Sequence, residues 1–290
     1  MLKLPAGAAE TTRSDFITGF SLEARTIARM EHPSIVKVLD FGVAVMPTGV
    51  PSPWMVLEWL TGETLDQDLQ RRRGHPGRSP AEALDLVRPV LLAVAYAHAE
   101  GIAHRDIKPA NVMLPSAAQA TGAGPAGSPR ASTAGTNSTG RRGEVGAKLL
   151  DFGIAKIMGS DETEASGHTS TRSSVVSFSL PYAAPEQVSG TRTGRWTDVH
   201  ALALVLVELL VNQRPHSGDD AQNLYAAALS PLRPTPARFG VDVGAWEAVL
   251  AKALASRPAD RYASAGELLD ALEAEVPAPR PRPGSALGEP

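Results

Sequence analysis

Cysteine is absent from the 290 residues. Its absence removes disulfides, thiolate metal sites and thiol nucleophiles together, and fits a reducing compartment. Charge of one sign is not in excess either: the formal net charge is -3, too little for a global field that would draw the chain to nucleic acid or to an anionic membrane. Long apolar runs are missing as well. The most apolar segment, Ala201 to Val211, is interrupted by Glu208 and falls short of the ~20 residues a membrane-spanning helix needs, so it reads as a buried core helix. No basic start followed by an apolar run marks a signal peptide. These absences predict a cytoplasmic chain with no membrane span and no nucleic-acid partner, whose function has to be argued from local sites. What is present is ordinary: 43% apolar and 20% charged residues, in a length that suits one large domain or two modest ones.

Asp15 to Met30 places Phe20, Ile27 and Met30 at helical spacing, with Glu23 on the same stripe. Two apolar runs, SIVKVLDFGV and PWMVLEWL, flank the turn-forming MPTGVPSP and read as adjacent strands. A helix then opens with Ser79 as cap, Pro80 in its first turn and Glu82 closing a capping box, and Gly101 stops it. Pro89 inside it predicts a kink. From Thr197 onward the pattern is helical, with a second capping box at Ser264 and Glu267. Short strands first and helices afterwards suggest a small mixed lobe joined to a larger helical one. Residues 115–147 are almost wholly small or polar and are expected to be disordered, because they cannot bury enough apolar area to offset their ordering entropy. The Pro/Arg-rich tail 277–290 is expected to be flexible and extended.

NVML and KLLDF can pair as an antiparallel hairpin with the low-complexity stretch as its loop. Asn111, at the start of the first strand, would then sit near Asp151, at the end of the second. A carboxamide oxygen and a carboxylate are hard ligands suited to a Mg2+ ion that holds phosphates. Just upstream, Asp106 and Lys108 share a loop that Pro109 keeps irregular. An acid able to take a hydroxyl proton and a cation able to meet a phosphate thus adjoin the metal ligands. The alternative is a solvated helix-to-strand loop with scattered charges; it serves for any one of these residues but poorly for all of them at this spacing.

These residues, His104-Arg105-Asp106-Ile107-Lys108-Pro109-Ala110-Asn111 followed by Asp151-Phe152-Gly153 and then by Ala184-Pro185-Glu186, resemble the catalytic core of the eukaryotic-type serine/threonine protein kinases found in bacteria. The resemblance runs from Lys3 to about Val276. It implies an α+β, two-lobed protein kinase-like fold with a truncated small β lobe (residues 1–60) and a mainly helical large lobe (residues 61–276). It also implies an activity: transfer of the ATP γ-phosphoryl group to Ser/Thr hydroxyls of protein substrates. In that resemblance Asp106 accepts the hydroxyl proton, Lys108 neutralises the transferring group, and Asn111 with Asp151 holds Mg2+. Lysine two residues after the aspartate follows the serine/threonine pattern. The Glu58 carbonyl and the Leu60 amide would bind adenine, Met113 would lie beneath the ring, and Leu57 would be the gatekeeper. Asp198 would anchor the catalytic loop, and Arg261 would pair with Glu186. Ser179 stands where the family has threonine and Phe178 where it has glycine. Thr163, Thr169, Ser170 and Thr171 are candidates for activating phosphorylation, with Arg105 as the phosphate's partner.

A carboxylate on a buried helical stripe is costly unless a cation reaches it. Glu23 therefore calls for a partner, and the resemblance supplies Lys3, the lysine that also touches the ATP phosphates; the alternative for Lys3 is a disordered terminal side chain. The family's glycine-rich loop has no counterpart ahead of Lys3. The GAGPAG run, Gly122 to Gly127, follows no strand, contains Pro125 and is a chance match. Three readings follow: an active kinase whose true start lies upstream of Met1, a pseudokinase or scaffold that binds partners, and a truncated fragment of low activity. Intact Asp106, Lys108, Asn111 and Asp151 favour the first. The missing loop predicts weak ATP binding for the chain as written.

Overall fold

The computed structural model describes residues 10–116, 146–151, 179–216, 218 and 220–275. Helix α1 (Glu10–Ala28) starts earlier than the predicted Asp15 and ends short of Met30. Its stripe is buried as the spacing requires: Phe20, Ala24 and Ile27 are all inside, followed by Met30 in the turn beyond.

Strands β1 (Val38–Val45) and β2 (Pro51–Leu57) form an antiparallel ladder with a bulge at Leu39. The run beginning at Ser34, predicted as one strand, is split. Val36 N donates to Leu149 O (3.0 Å), Leu149 N donates to Ser34 O (2.8 Å), and Ile35 bridges Leu149 in parallel. Ile35 N closes a turn on His32 O at 3.1 Å, so pairing with β2 begins only after this segment. It stitches the two-stranded sheet to a second one instead.

That second sheet has the order β3 (Gly62–Thr64), β4 (Val112–Pro115), β5 (Lys148–Leu149), all antiparallel. The β4–β5 pair is the predicted hairpin, with Val112 opposite Leu149 and Met113 opposite Lys148. Strand β3 is an addition to the sequence reading. Gly62 at its start has φ +148°, and a Cβ there would lie 2.1 Å from Leu114 O, so only glycine permits this pairing. Of the predicted low-complexity stretch, Pro115 lies in β4 and Ala147 is buried; residues 117–145 lie outside the described residues.

Helix α2 (Leu65–Arg71) follows β3 directly through a Thr64–Gln67 capping box. Helix α3 (Pro80–Ala99) carries the predicted box at Ser79 and Glu82 and continues unbroken through Pro89. Among the described residues the remaining α-helices are α4 (Pro185–Val188), α5 (Arg195–Val211), α6 (Ala221–Leu229), α7 (Trp246–Ala253) and α8 (Ala265–Ala274). The box expected at α8 is half formed: Ser264 Oγ accepts from Glu267 N, but the Glu267 carboxylate takes Ala263 N at 2.9 Å rather than the cap's own N–H.

Every residue of α5 from Thr197 to Val211 is buried, with α3, α7 and α8 packed against it. A helix apolar on all sides must be enclosed. No helix among the described residues is long and apolar enough to cross a membrane. Glu208, the interruption in the apolar run, accepts from the Arg73 guanidinium and from the Tyr182 hydroxyl. Burial, reinforced by Glu208, drives the Tyr182 hydroxyl well above its ordinary pKa.

His200 on α5 and His216 beyond it are both buried. Burial first, and then the Arg261 and Arg233 charges and His216, hold His200 well below the ordinary value of 6.5. Burial and Arg233 push His216 down to about 4. Above pH 6.5 both rings are neutral in either state and cost nothing. As pH falls below 6.5 the unfolded chain takes up protons that the folded one refuses, so stability declines toward pH 4. Urea denaturation across this range is expected to show a loss that His216→Phe reduces by about 3 kcal/mol at pH 4; an unchanged acid limb in that variant contradicts the assignment.

Candidate active site

The loop after α3 is positioned by one carboxylate on α5. Asp198 is fully buried; its Oδ2 accepts from His104 N (2.7 Å) and lies 2.9 Å from His98 Nε2, and its Oδ1 accepts from Arg105 N (2.6 Å). His98 Nδ1 accepts from Ala265 N (3.2 Å), which leaves Nε2 as the protonated nitrogen that donates to Asp198. The same logic settles His104. Its Nδ1 accepts from Asp106 N (3.3 Å), so its Nε2 donates to Leu150 O at 2.9 Å. Arg105 between them has φ +62°, a left-handed conformation that costs a non-glycine residue about 1–3 kcal/mol. Its carbonyl accepts from Gln187 Nε2 (2.9 Å), so the strained peptide is held from both sides.

This framework delivers Asp106, Lys108 and Asn111 to one place. Lys108 Nζ lies 2.9 Å from Asp106 Oδ2 and donates to Ser179 Oγ at 2.9 Å. Asn111, in a single 3-10 turn started by Pro109, donates through Nδ2 to Asp106 O (2.9 Å) and more weakly to Asp106 Oδ2 (3.4 Å). With its nitrogen committed, its Oδ1 is the end left for a cation. Asn111 O accepts from Leu150 N at 2.8 Å, which sets Asp151 next to Asn111, as the hairpin reading expected. Asp151 is exposed and has φ +46°. A carboxamide oxygen and an exposed carboxylate fit the donor chemistry of Mg2+.

Further along β4, Met113 is half-buried, paired with Thr64 and Lys148 across the sheet. Glu58 follows β2. Its N donates to Lys37 O (2.9 Å), and its Oε1 accepts from Lys37 N (2.8 Å) and from Lys148 Nζ (2.6 Å). Leu57 packs partly buried against the core, and Leu60 is half-buried just before β3.

Below the site, Arg261 and Glu186 form the expected pair, with two parallel bonds of 2.8 Å. Thr197 Oγ1 adds a bond to Glu186 Oε1 (2.9 Å), and Arg261 also donates to the carbonyls of Ala255, Trp196 and Ser256. A buried pair so completely satisfied avoids the cost of stranded charges.

Lys3, Phe152, Gly153, Thr163, Thr169, Ser170, Thr171 and Phe178 lie outside the described residues, as does the side chain of Glu23. Sequence reasoning passed over His98, Gln187 and Lys148. The signal for Lys148 was the strand alternation, which turns it away from buried Leu149. His98 and Gln187 act through tertiary contacts that leave no local pattern.

A family model described as protein kinase domain matches residues 8–286. Among curated proteins, the serine/threonine-protein kinase PknB of Mycobacterium tuberculosis is 31% identical over 255 residues, covering 87% of this chain and 35% of that protein. A probable serine/threonine-protein kinase of Streptomyces coelicolor is 32% identical over 276 residues, 92% of this chain and 35% of its own length. The chain therefore spans about a third of the length of these curated relatives. Among solved structures, the PknI kinase domain of Mycobacterium tuberculosis matches with a TM-score of 0.60 at 27% identity, over 93% of this chain and 81% of that one.

In Asp198→Asn, either orientation of the amide turns an NH2 toward a backbone or ring donor. The expected outcome is hydrogen exchange at the His104 and Arg105 amides accelerated by at least about tenfold, read by mass spectrometry or NMR, while the apolar half of α5 keeps its protection. Unchanged exchange at those two amides contradicts the anchoring role.

Proposed function

Because the chain belongs to the protein kinase family, whose domain model matches residues 8–286, we propose that it transfers the γ-phosphoryl group of ATP to serine and threonine hydroxyls of protein substrates. The fold agrees: small antiparallel sheets lead into a mainly helical lobe. The observation that carries the reading is the cluster of Asp106, Lys108 and Asn111 on one anchored loop, with Lys108 Nζ 2.9 Å from both Asp106 Oδ2 and Ser179 Oγ. Names of the relatives support the serine/threonine class.

In this reading Asp106 is the base. The substrate hydroxyl gives it a proton as the new oxygen–phosphorus bond forms and the bond from the γ-phosphorus to the ADP oxygen breaks. Lys108 supplies positive charge where it develops on the transferring group, and its bond to Ser179 Oγ keeps it extended along the loop. Asn111 Oδ1 and Asp151 would hold Mg2+, which when bound neutralises phosphate charge. Glu58 O and Leu60 N would meet the adenine edge, with Met113 beneath the ring. Glu23 would pair with Lys3, the partner that a carboxylate on the predicted apolar stripe calls for. Residues 1–60 would form the small lobe and residues 61–276 the large one. The scaffold reading has no chemical use for an ordered Asp106–Lys108–Asn111 cluster.

The test is transfer of labelled phosphate from ATP to a generic basic protein or to the chain itself in the presence of Mg2+. Asp106→Asn, which preserves size, is expected to lower the rate by about 10²–10⁴-fold. Transfer unaffected by this substitution removes Asp106 from the role of base, and a complete lack of wild-type transfer with intact partner binding supports the scaffold.

A further inference from the structure

Lys148 stands between two parts of the proposed adenine site. On β5 it stands directly opposite Met113, the proposed floor. Its Nζ crosses to Glu58 Oε1 at 2.6 Å, beyond the strand that leads out of the small sheet. The pair is largely enclosed, with side-chain exposures of 14% for Lys148 and 26% for Glu58. The same Oε1 accepts from Lys37 N, and Glu58 N donates to Lys37 O. Glu58 is thus tied by backbone and carboxylate to Lys37, just before β1, and by its carboxylate to Lys148 on β5.

We propose that Lys148 is a positioning residue that fixes the Glu58 carbonyl for adenine and thereby sets selection of adenine over guanine nucleotides. The inference rests on the kinase reading above. The chemistry of the two bases makes the role specific. Adenine presents an amino donor at its C6 position, which a carbonyl accepts; guanine presents a carbonyl oxygen there, which a fixed carbonyl repels. Discrimination of this kind requires that the protein carbonyl does not retreat. Without Lys148, Glu58 keeps only its two bonds to Lys37 and carries an uncompensated charge in a partly enclosed place. It would turn toward water and take its own carbonyl with it. Adenine then loses a bond, and guanine loses a repulsion.

The experiment is equilibrium titration of the whole chain with Mg-ADP and with Mg-GDP by calorimetry, for wild type, Lys148→Met and Lys148→Arg. The expected result is that Lys148→Met weakens ADP binding by about fivefold and leaves or improves GDP binding, while Lys148→Arg stays within about twofold of wild type in the ratio of the two affinities. Lys148→Gln, which keeps a donor without the charge, is expected to fall between them and serves if the methionine variant does not fold. A general loss of packing would weaken both nucleotides together and leave the ratio unmoved. An unchanged ratio in Lys148→Met and Lys148→Gln, or an arginine variant as impaired as methionine, overturns the proposal while leaving the kinase reading intact. Wild-type protein that binds neither nucleotide overturns both.

Discussion

The Asp198 carboxylate is the constraint on which the site's geometry depends. It is contributed by a helix buried from Thr197 to Val211, and it satisfies two consecutive backbone N–H groups and one imidazole of segments that pack over that helix. Bonds to a carboxylate are each worth about 1.5–3 kcal/mol, so the two backbone bonds to Asp198 together match or exceed the about 1–3 kcal/mol that a left-handed arginine costs. The strain at Arg105 is therefore held without a rearrangement of the loop. Because His98 and His104 each have one nitrogen fixed as acceptor, the direction of every proton in this network is determined. His104 passes the constraint on to Leu150 O, and the adjacent Leu150 N meets Asn111 O. A single carboxylate in the large lobe thus sets the relation between the loop of Asp106 and the strand end that carries Asp151.

Polar groups in α5 follow a common rule with different solutions. Asp198 is satisfied by donors on the α3 side, and Glu208 by Arg73 and Tyr182. Each spares the interior a stranded charge, whose cost would otherwise exceed that of any one apolar contact. His200 is handled differently: it is kept uncharged by burial and by neighbouring arginines. The helix can therefore be enclosed on all sides and still send carboxylates outward to fix the loops around it. The Glu186–Arg261 pair extends this scheme. It joins the segment that follows Ser179 to the loop before α8, and Thr197 links it back to the start of α5.

Much of this was legible in the sequence because it is local. The Ser79–Glu82 capping box, the helical stripe of α1 and the apolar run of α5 each declare themselves within a few turns of chain. The antiparallel β4–β5 pair was readable from two short apolar runs, and the observed register sets Asn111 against Leu150, the residue before Asp151. The Thr64–Gln67 box that opens α2 carried the same kind of signal as Ser79–Glu82 and was passed over because α2 is short. The misreadings have tertiary causes. The strand at Ser34 was split by a bond to Leu149, more than a hundred positions away in the chain, and Glu267 found Ala263 N in place of the helix cap. His98 and Gln187 were invisible for the same reason: each acts on a residue brought close only by the fold.

The distribution of strain explains how the hairpin can carry so long a connection. Among the described residues, non-glycine positions with positive φ are Arg105, Asp151 and Asn212. Asparagine tolerates that conformation through its short polar side chain. Asp151 shares that tolerance; Arg105 does not, and both lie at the proposed site, where Asp198, His104 and the Asn111–Leu150 bond hold the backbone around them. All of these contacts are at the end of the β4–β5 hairpin remote from residues 116–147. Loop-closure entropy grows slowly with the length of a connection, by ~0.6 kcal/mol for each doubling. A long insertion at the far end therefore draws little on the energy that holds the near end. The parallel bridge of Ile35 to Leu149, with its two flanking bonds, fixes β5 from a third direction. Register at the site is set by contacts to the rest of the fold rather than by the turn, which is the condition under which a hairpin can accept such a connection and keep Asn111 and Asp151 together.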